Sequence, residues 1–360
     1  QDIVNMKIGI ITPNNIWVSP YVKIYTRLLD ELSMSYDVIS WNREGRDEEG
    51  IQFNYQPKSR NPLMLLWAYR RFASFAKSTI RKEKYDRLIV FTPQSAIFLA
   101  DFLKKEYKDR YIFDYRDLSL EQKMIFKKPF LTALNYSAAN IISSPGFKKY
   151  LPQDFDYIVS HNFDVNIVRN AINGDVTPLK TNEISVLTIG AIRKDMNPEV
   201  IDALGNKEGV TLSFVGKGPA SKDLEDYANL KEYRNITFRG FYQKADEPAI
   251  INDCNFINIF YPQIPSHQTA VSNRFYNSLI FKRPMIVTKN STQGDYAEKY
   301  DVGIAITDCS NLHSDLKGYL MQLDFPAYCE RCNKLLTELL SDYELWRKTI
   351  LRILCDDLRK

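Results

Sequence analysis

Two segments of this 360-residue chain bring together residue types able to hold a phosphate-bearing ligand. In GAIRKDMNPEV (190–200) a strand-like run ends at Gly190, and two adjacent cations, Arg193 and Lys194, occupy the turn before a helix. Cations at the carboxyl edge of a parallel sheet can neutralise a diphosphate. In SHQTAVSNRFYNSLIFKRPMIV (266–287), Ser272 and Asn273 precede the helical stretch RFYNSLIF, so the main-chain N–H groups of Ser272 to Arg274 are expected as donors at a helix start. An anion sits well there. Residues 254–273 carry no charged side chain, so no carboxylate from that run repels a phosphate. Between these segments FVGKGP (214–219) supplies Gly216 and Gly218. It lacks the third glycine of a dinucleotide fingerprint and the Ser or Thr that follows the lysine of a P-loop, so it says only that backbone comes close to something. Each piece has an ordinary counterpart: a plain N-cap, a solvated Arg-Lys pair, a tight turn.

Other chemistries find no template. The histidines are His161, His267 and His313, and neither Gly-x-Ser-x-Gly nor His-Glu-x-x-His accompanies them. Cys329 and Cys332 form a Cys-x-x-Cys with no second pair for zinc. Asp154 and Asp156 form an Asp-x-Asp in a loop. In the first half, Asn14 and Asn15 lie in TPNNIWVSPY (12–21), and Asp114, Arg116 and Asp117 end another strand. Arg116 or Asp117 is read as contacting a ligand, with a structural ion pair as the equal alternative.

The elements that must position these groups read as alternating strands and helices. KIGIITP (7–13), YDVISW (36–41), RLIVFTP (87–93), YIFDYRD (111–117), ANIISSP (139–145) and DYIVSHN (156–162) are short apolar runs closed by polar or Pro-bearing turns, with helical stretches between several of them. Such a pattern implies a parallel sheet covered on both faces. The loop 170–183 has Gly174 and Pro178 but no apolar period and is read as a linker. Six further strands follow, at 184–190, 210–218, 235–241, 254–262, 284–288 and 303–307, and the tail from about 327 is helical. The expected architecture is α/β with two tandem doubly wound domains, 6–174 and 178–341. The ligand is expected between the carboxyl ends of two sheets.

With 44% apolar and 26% charged residues the chain can fill and coat two cores, which excludes a disordered protein. The longest uncharged stretches, 129–147 and 254–273, are broken by Pro, Asn and Ser, so a soluble protein is expected. Five unevenly spread cysteines point to a reducing cytoplasm. Residues 1–5 (QDIVN) show no secretory pattern and are set aside from functional reasoning. The net charge of +4 does not announce a nucleic-acid partner, but residues 58–128 hold 17 basic against 8 acidic side chains. Within that stretch, 61–84 places Leu65, Ala68, Tyr69, Phe72, Ala76 and Ile80 on one helical face, and Arg70, Ser74, Lys77, Ser78 and Arg81 opposite. Met64 and Trp67 border the basic face, so this helix could rest on an anionic membrane surface or be an ordinary core helix.

KIGIITPNN, YIFDYRDLS, SHNFD, GAIRK, FVGKGP, NITFRGF and SNRFYNSLIFKRPMIV, in this order, resemble the retaining group 1 glycosyltransferases of the two-Rossmann (GT-B) fold, of the bacterial surface polysaccharide type. The resemblance implies that residues 342–360 pack back on the N-terminal domain, which takes the acceptor, while the second domain takes the donor. It implies sugar transfer from a nucleotide-sugar, most readily a UDP-sugar, to a hydroxyl of a glycan or lipid-linked acceptor. No metal or other cofactor is expected. By the resemblance Arg193 and Lys194 hold the donor diphosphate and serve catalysis with Asp117 and Arg116. Gly190, Gly216, Gly218, His267, Ser272, Asn273, Arg274 and Asn277 line the donor, Phe241 and Tyr242 meet the base, and Asn14 and Asn15 face the acceptor. The chain departs from the pattern where many relatives carry two Glu, having Thr269 and Asn277, and where they carry Gly, having Lys282. An amide still bonds hydroxyls but supplies no carboxylate. A non-catalytic nucleotide-sugar-binding partner of the same fold, or a nucleotide-sugar epimerase, is the alternative. The protein is expected in the cytoplasm, either free or at the inner face of the plasma membrane.

Overall fold

The structure is a computed structural model that describes residues 6–58, 61–194, 196 and 198–355. The set-aside residues 1–5 and the last five of the tail lie outside the described residues. The chain forms two compact units, one running to Asn162 and resumed from Asp342, the other spanning Phe163–Ser341.

The first unit contains β1 (Lys7–Thr12), α1 (Val22–Glu31), β2 (Ser35–Asn42), β3 (Ile51–Asn54), α2 (Pro62–Glu83), β4 (Arg87–Phe91), α3 (Thr92–Glu106), β5 (Tyr111–Tyr115), α4 (Met124–Asn135), β6 (Ala139–Ile142) and β7 (Ile158–Val159). Its seven strands are parallel, in the order β3-β2-β1-β4-β5-β6-β7. Every residue of β4 and β5 is buried, as expected of strands covered on both faces. On one face α2, α3 and α4 cover Trp41, Phe72, Leu99 and Phe113. On the other, α1 and the end of the last helix cover Ile8, Ile10 and Ile89. The short edge strand β3 has no counterpart in the sequence reading, because IQFN is only half-buried and carries too few apolar residues to show a period.

The second unit contains α5 (Val165–Asn173), β8 (Ile184–Ile189), α6 (Glu199–Leu204), β9 (Val210–Val215), α7 (Ser221–Leu230), β10 (Ile236–Arg239), α8 (Glu247–Asn252), β11 (Phe256–Ile259), α9 (Pro265–Thr269), α10 (Asn273–Ile280), β12 (Met285–Thr288), α11 (Thr292–Tyr300), β13 (Gly303–Ile306), α12 (Leu312–Gln322) and α13 (Phe325–Cys355). Its strands are also parallel, in the order β10-β9-β8-β11-β12-β13. The unit starts ahead of the loop read as the linker. Val168 of α5 is fully buried in its core, and Phe163 meets Tyr276 edge-on at 5.5 Å, so α5 folds with the second sheet. In both sheets the order reverses at the first strand, β1 beside β4 and β8 beside β11, which opens a crevice at the carboxyl ends.

Residues of α13 from Asp342 onward belong to the first unit through a buried polar knot. Asp114, fully buried at the end of β5, accepts from Tyr25 Oη at 2.6 Å and from Arg116 Nη2 at 2.6 Å. Trp346 of α13 stacks edge-on against Tyr25 at 5.1 Å and donates its Nε1–H to the same hydroxyl at 3.2 Å. A second link joins His161 Nε2 to Asp342 Oδ2 at 2.9 Å. The Cys-x-x-Cys of α13 serves packing, since Cys332 is buried and burial pushes its thiol up to about 12.

All four tryptophans lie in the first unit, so their fluorescence reports its unfolding alone. Tyr25→Phe removes the hydroxyl that Asp114 and Trp346 share. It is expected to cost about 1–3 kcal/mol, because buried polar groups lose their partner, and to lower the urea midpoint followed by tryptophan emission. An unchanged midpoint would show that the knot contributes nothing.

Candidate functional site

The candidate site is built at the carboxyl edge of the second sheet, where three loops meet. After β8 the chain turns at Gly190, whose φ of +93° is a backbone conformation that favours glycine. After β9 it turns at Gly216, with φ +134°. A methyl group on Gly216 would lie 2.0 Å from the Gly190 carbonyl oxygen, and one on Gly218 would lie 2.0 Å from that of Ile192. The object that this glycine turn approaches is therefore the neighbouring loop. Main-chain bonds close the contact, Gly190 N–H donating to Val215 O at 2.8 Å and Ile192 N–H to Lys217 O at 3.3 Å, while Gly216 N–H ties the turn to Arg239 O of β10 at 2.9 Å.

The third element is α10. Arg274 in its first turn is 5% exposed, and its guanidinium donates to Ile189 O at 2.5 Å, Ala191 O at 2.8 Å and Tyr261 Oη at 2.6 Å. The Tyr261 ring stacks on the buried His267 at 4.8 Å. Expected among the ligand-lining residues, Arg274 is instead turned into the protein, because three acceptors of the β8 loop and β11 converge on its planar fork. Burial holds its guanidinium below the usual range. Ser272 also differs from expectation. Its N–H and Oγ donate to Gln293 Oε1 at 3.0 and 2.8 Å, so this main-chain donor is already engaged. Neither partner could be foreseen, since Gln293 is brought in by α11, across β12.

The exposed residues at this edge include two cations. Arg193 and Lys194 are exposed, and with Ala191 and Pro219 they line a pocket of about 400 Å³. Asn273 is exposed at the start of α10, close by in the chain to Arg274. Phe241, after β10, is 70% exposed. Tyr242 is half-buried, and burial followed by the Glu247 carboxylate pushes its phenol up to about 12. Asn277 does not stand without a carboxylate: its Nδ2 donates to Glu247 Oε1 at 2.8 Å, while Glu247 Oε2 accepts from Lys244 at 2.6 Å. Glu247 is a site-side residue that sequence reasoning missed, because it comes from α8, thirty positions earlier. Lys282 takes φ +54° where glycine was noted in relatives, and its buried Nζ donates to Leu279 O at 3.0 Å.

The residues expected to meet an acceptor lie at the carboxyl edge of the first sheet, and two of them are committed elsewhere. Asn15 is 1% exposed. Its amide donates to Asn42 Oδ1 and Glu48 Oε2, and its oxygen accepts from the N–H groups of Arg43 and Glu44. That uses its whole bonding capacity on the loop itself. Arg116, with a side chain 6% exposed, pairs with Asp114 and donates to Ser160 O at 3.2 Å, which is the structural ion pair of the alternative reading. Asn14 accepts from Arg43 Nη1 at 3.1 Å and is half-buried, while Asp117 is exposed.

The sequence matches no protein-family model and no curated protein. Solved structures do match over nearly its full length. HepE of Anabaena, in a complex with UDP and glucose, is similar over 96% of this chain and 99% of its own, at 14% identity and a TM-score of 0.64. Sucrose-phosphate synthase of Thermosynechococcus elongatus covers the same shares at 14% identity and a TM-score of 0.69. WaaG, a glycosyltransferase involved in lipopolysaccharide biosynthesis, matches 94% of this chain and 98% of its own, at 12% identity and a TM-score of 0.59. The chain shares their fold. Two parallel-sheet α/β domains make up this GT-B architecture, as the sequence reading expected.

The glycine contact gives a sharp test. Gly216→Ala is expected to destabilise the second unit by more than about 2 kcal/mol, since neither the methyl nor the φ can be accommodated without moving the β8 loop. Gly240→Ala meets only the flexible end of Lys217 at 3.2 Å and serves as the control. Calorimetric unfolding of the two variants should separate them, and equal melting would overturn the account of this turn.

Proposed function

We propose that the protein is a retaining glycosyltransferase that moves a sugar from a UDP-sugar to a hydroxyl of a glycan or lipid-linked acceptor, without a metal. The observation that carries this reading is the pair of exposed cations, Arg193 and Lys194, on a pocket walled by the interlocked glycine turns. As the glycosidic bond to UDP breaks, negative charge grows on the β-phosphate and the sugar becomes oxocarbenium-like. Cations fixed on a rigid turn stabilise that charge without reorganising. Here the turn is rigid because Arg274 clamps the carbonyls of Ile189 and Ala191 beside it. Exposed Phe241 and the Tyr242–Glu247–Asn277 group offer an aromatic face and hydrogen-bonding atoms of the kind a nucleoside needs. UDP and glucose in the complex of HepE, which shares the fold, favour a UDP-sugar as donor.

Among the described residues no helix is long and apolar enough to cross a membrane. A lipid-linked acceptor is instead reached from the surface, at the inner face of the plasma membrane. Helix α2 supports that contact: Leu63, Met64 and Trp67 are 77%, 43% and 48% exposed, next to Arg70 and Arg71. The role of WaaG in lipopolysaccharide biosynthesis fits a surface-glycan acceptor.

Thermal unfolding with UDP, GDP and ADP, followed by assay of sugar release from UDP-glucose, tests the donor side. UDP is expected to stabilise the protein most. The double variant Arg193→Ala/Lys194→Ala should keep the wild-type melting temperature without ligand, bind UDP more weakly and lose about 2.7–4 kcal/mol of transition-state stabilisation, the typical loss for one pre-aimed donor. A double variant equal to wild type in binding and turnover sinks the assignment. UDP stabilisation with no turnover favours a binding partner, and interconversion of the sugar favours an epimerase.

A further inference from the structure

The first unit presents a second feature of the same kind as the start of α2, and the sequence reading gave it no role. At the start of α4, Met124 and Ile125 are 82% and 78% exposed, within a collar of exposed Lys123, Lys127 and Lys128. Two consecutive apolar side chains so fully in water at a helix tip are not core residues displaced by chance. The next residue, Phe126, turns inward and meets Phe98 of α3 at 6.0 Å. Phe98 in turn stacks on Tyr69 of α2 at 5.9 Å, so the three helices lie side by side on one face of the sheet. Because α2 and α4 both follow parallel strands, both tips project at the carboxyl edge of that sheet. The start of α3 between them, Thr92 and Pro93, is buried.

We infer that the tips of α2 and α4 form one surface that rests on an anionic lipid bilayer. This deepens the reading of α2 as membrane-facing and depends on it. Charge complementarity selects the occupant. Residues 50–82 and 122–153, which include all of α4 and all of α2 except its last residue, Glu83, contain twelve Lys and Arg and not one Asp or Glu. Along α4 runs an open groove of about 680 Å³, with Lys104, Lys127 and Lys128 beside Met124, Leu131 and Phe155, and with Asp154 as the acid on its wall. Apolar tips ringed by long cationic side chains insert below a headgroup layer while the cations meet its phosphates. Two separate raised tips with a recessed start between them suit a deformable bilayer. With both anchors engaged, the carboxyl edge of the first sheet is held at the lipid surface, where a lipid-linked hydroxyl would arrive.

The test is co-sedimentation of the whole chain with phosphatidylcholine vesicles, neutral or containing roughly 30% phosphatidylglycerol. Wild type is expected to sediment with the anionic vesicles and to be released by high salt. Met124→Asp/Ile125→Asp should lower partitioning about tenfold or more, as two inserted side chains are lost, with melting temperature unchanged because both are exposed. Lys127→Glu/Lys128→Glu should weaken binding to anionic vesicles and leave neutral ones unaffected. Leu63→Asp/Met64→Asp reports on α2. If that variant loses binding while the α4 variants sediment like wild type, the α4 contact is wrong and the α2 reading stands. If wild type ignores anionic vesicles, both fall.

Discussion

The buried guanidinium of Arg274 is the link on which the second unit's site depends. It joins the first turn of α10 to two carbonyls at the end of β8 and to the hydroxyl of Tyr261, so three loops that are distant in sequence become one rigid edge. A desolvated cation is stable only where acceptors surround it. Here the acceptors are main-chain carbonyls, which cannot turn away. The same bonds that satisfy Arg274 therefore fix the course of the turn that carries Arg193 and Lys194. That turn is thereby held rigidly before any ligand meets it.

The glycine contacts complete that arrangement from the other side. Gly216 and Gly218 let the β9 loop lie against the carbonyls of Gly190 and Ile192, at a separation no side chain permits. The two loops hold each other by main-chain bonds, with Arg193 and Lys194 exposed beside them. Burial, and after it Arg193, disfavours the charge on Arg274, and the phenol of Tyr261 opposes this only in part. Glu247, drawn in by Asn277 and Lys244, places a carboxylate next to Tyr242, where the sequence showed none at the matching position of α10.

In the first unit the equivalent constraint is Asp114. A fully buried carboxylate on a central strand needs partners, and it finds them in Tyr25 and Arg116, with Trp346 of the last helix closing over Tyr25. This use of Arg116 explains why it does not face solvent, and the four bonds of Asn15 do the same for that residue. The edge is thus stiffened by polar groups that are spent on structure, and the tips of α2 and α4 expose apolar and basic side chains.

The alternation of apolar runs with polar turns determined two parallel sheets, because strands buried on both faces must be continuously apolar and each needs a covering helix. The stripe of Ala68, Phe72, Ala76 and Ile80 likewise determined which face of α2 is buried, with Lys77 half-buried at its border. Arg193 and Lys194 are exposed, as the sequence leads one to expect of a charged pair on a turn. Whether Arg274, Ser272, Asn15 and Arg116 meet a ligand or the protein was decided only by tertiary structure. Each of these groups bonds whatever acceptor or donor is nearest, and those partners, Ile189, Gln293, Glu48 and Asp114, are set by how the chain folds back. The same holds for the end of α5 as part of the second unit: its nine residues show an apolar side, but only packing against Tyr276 and its neighbours says which core that side joins.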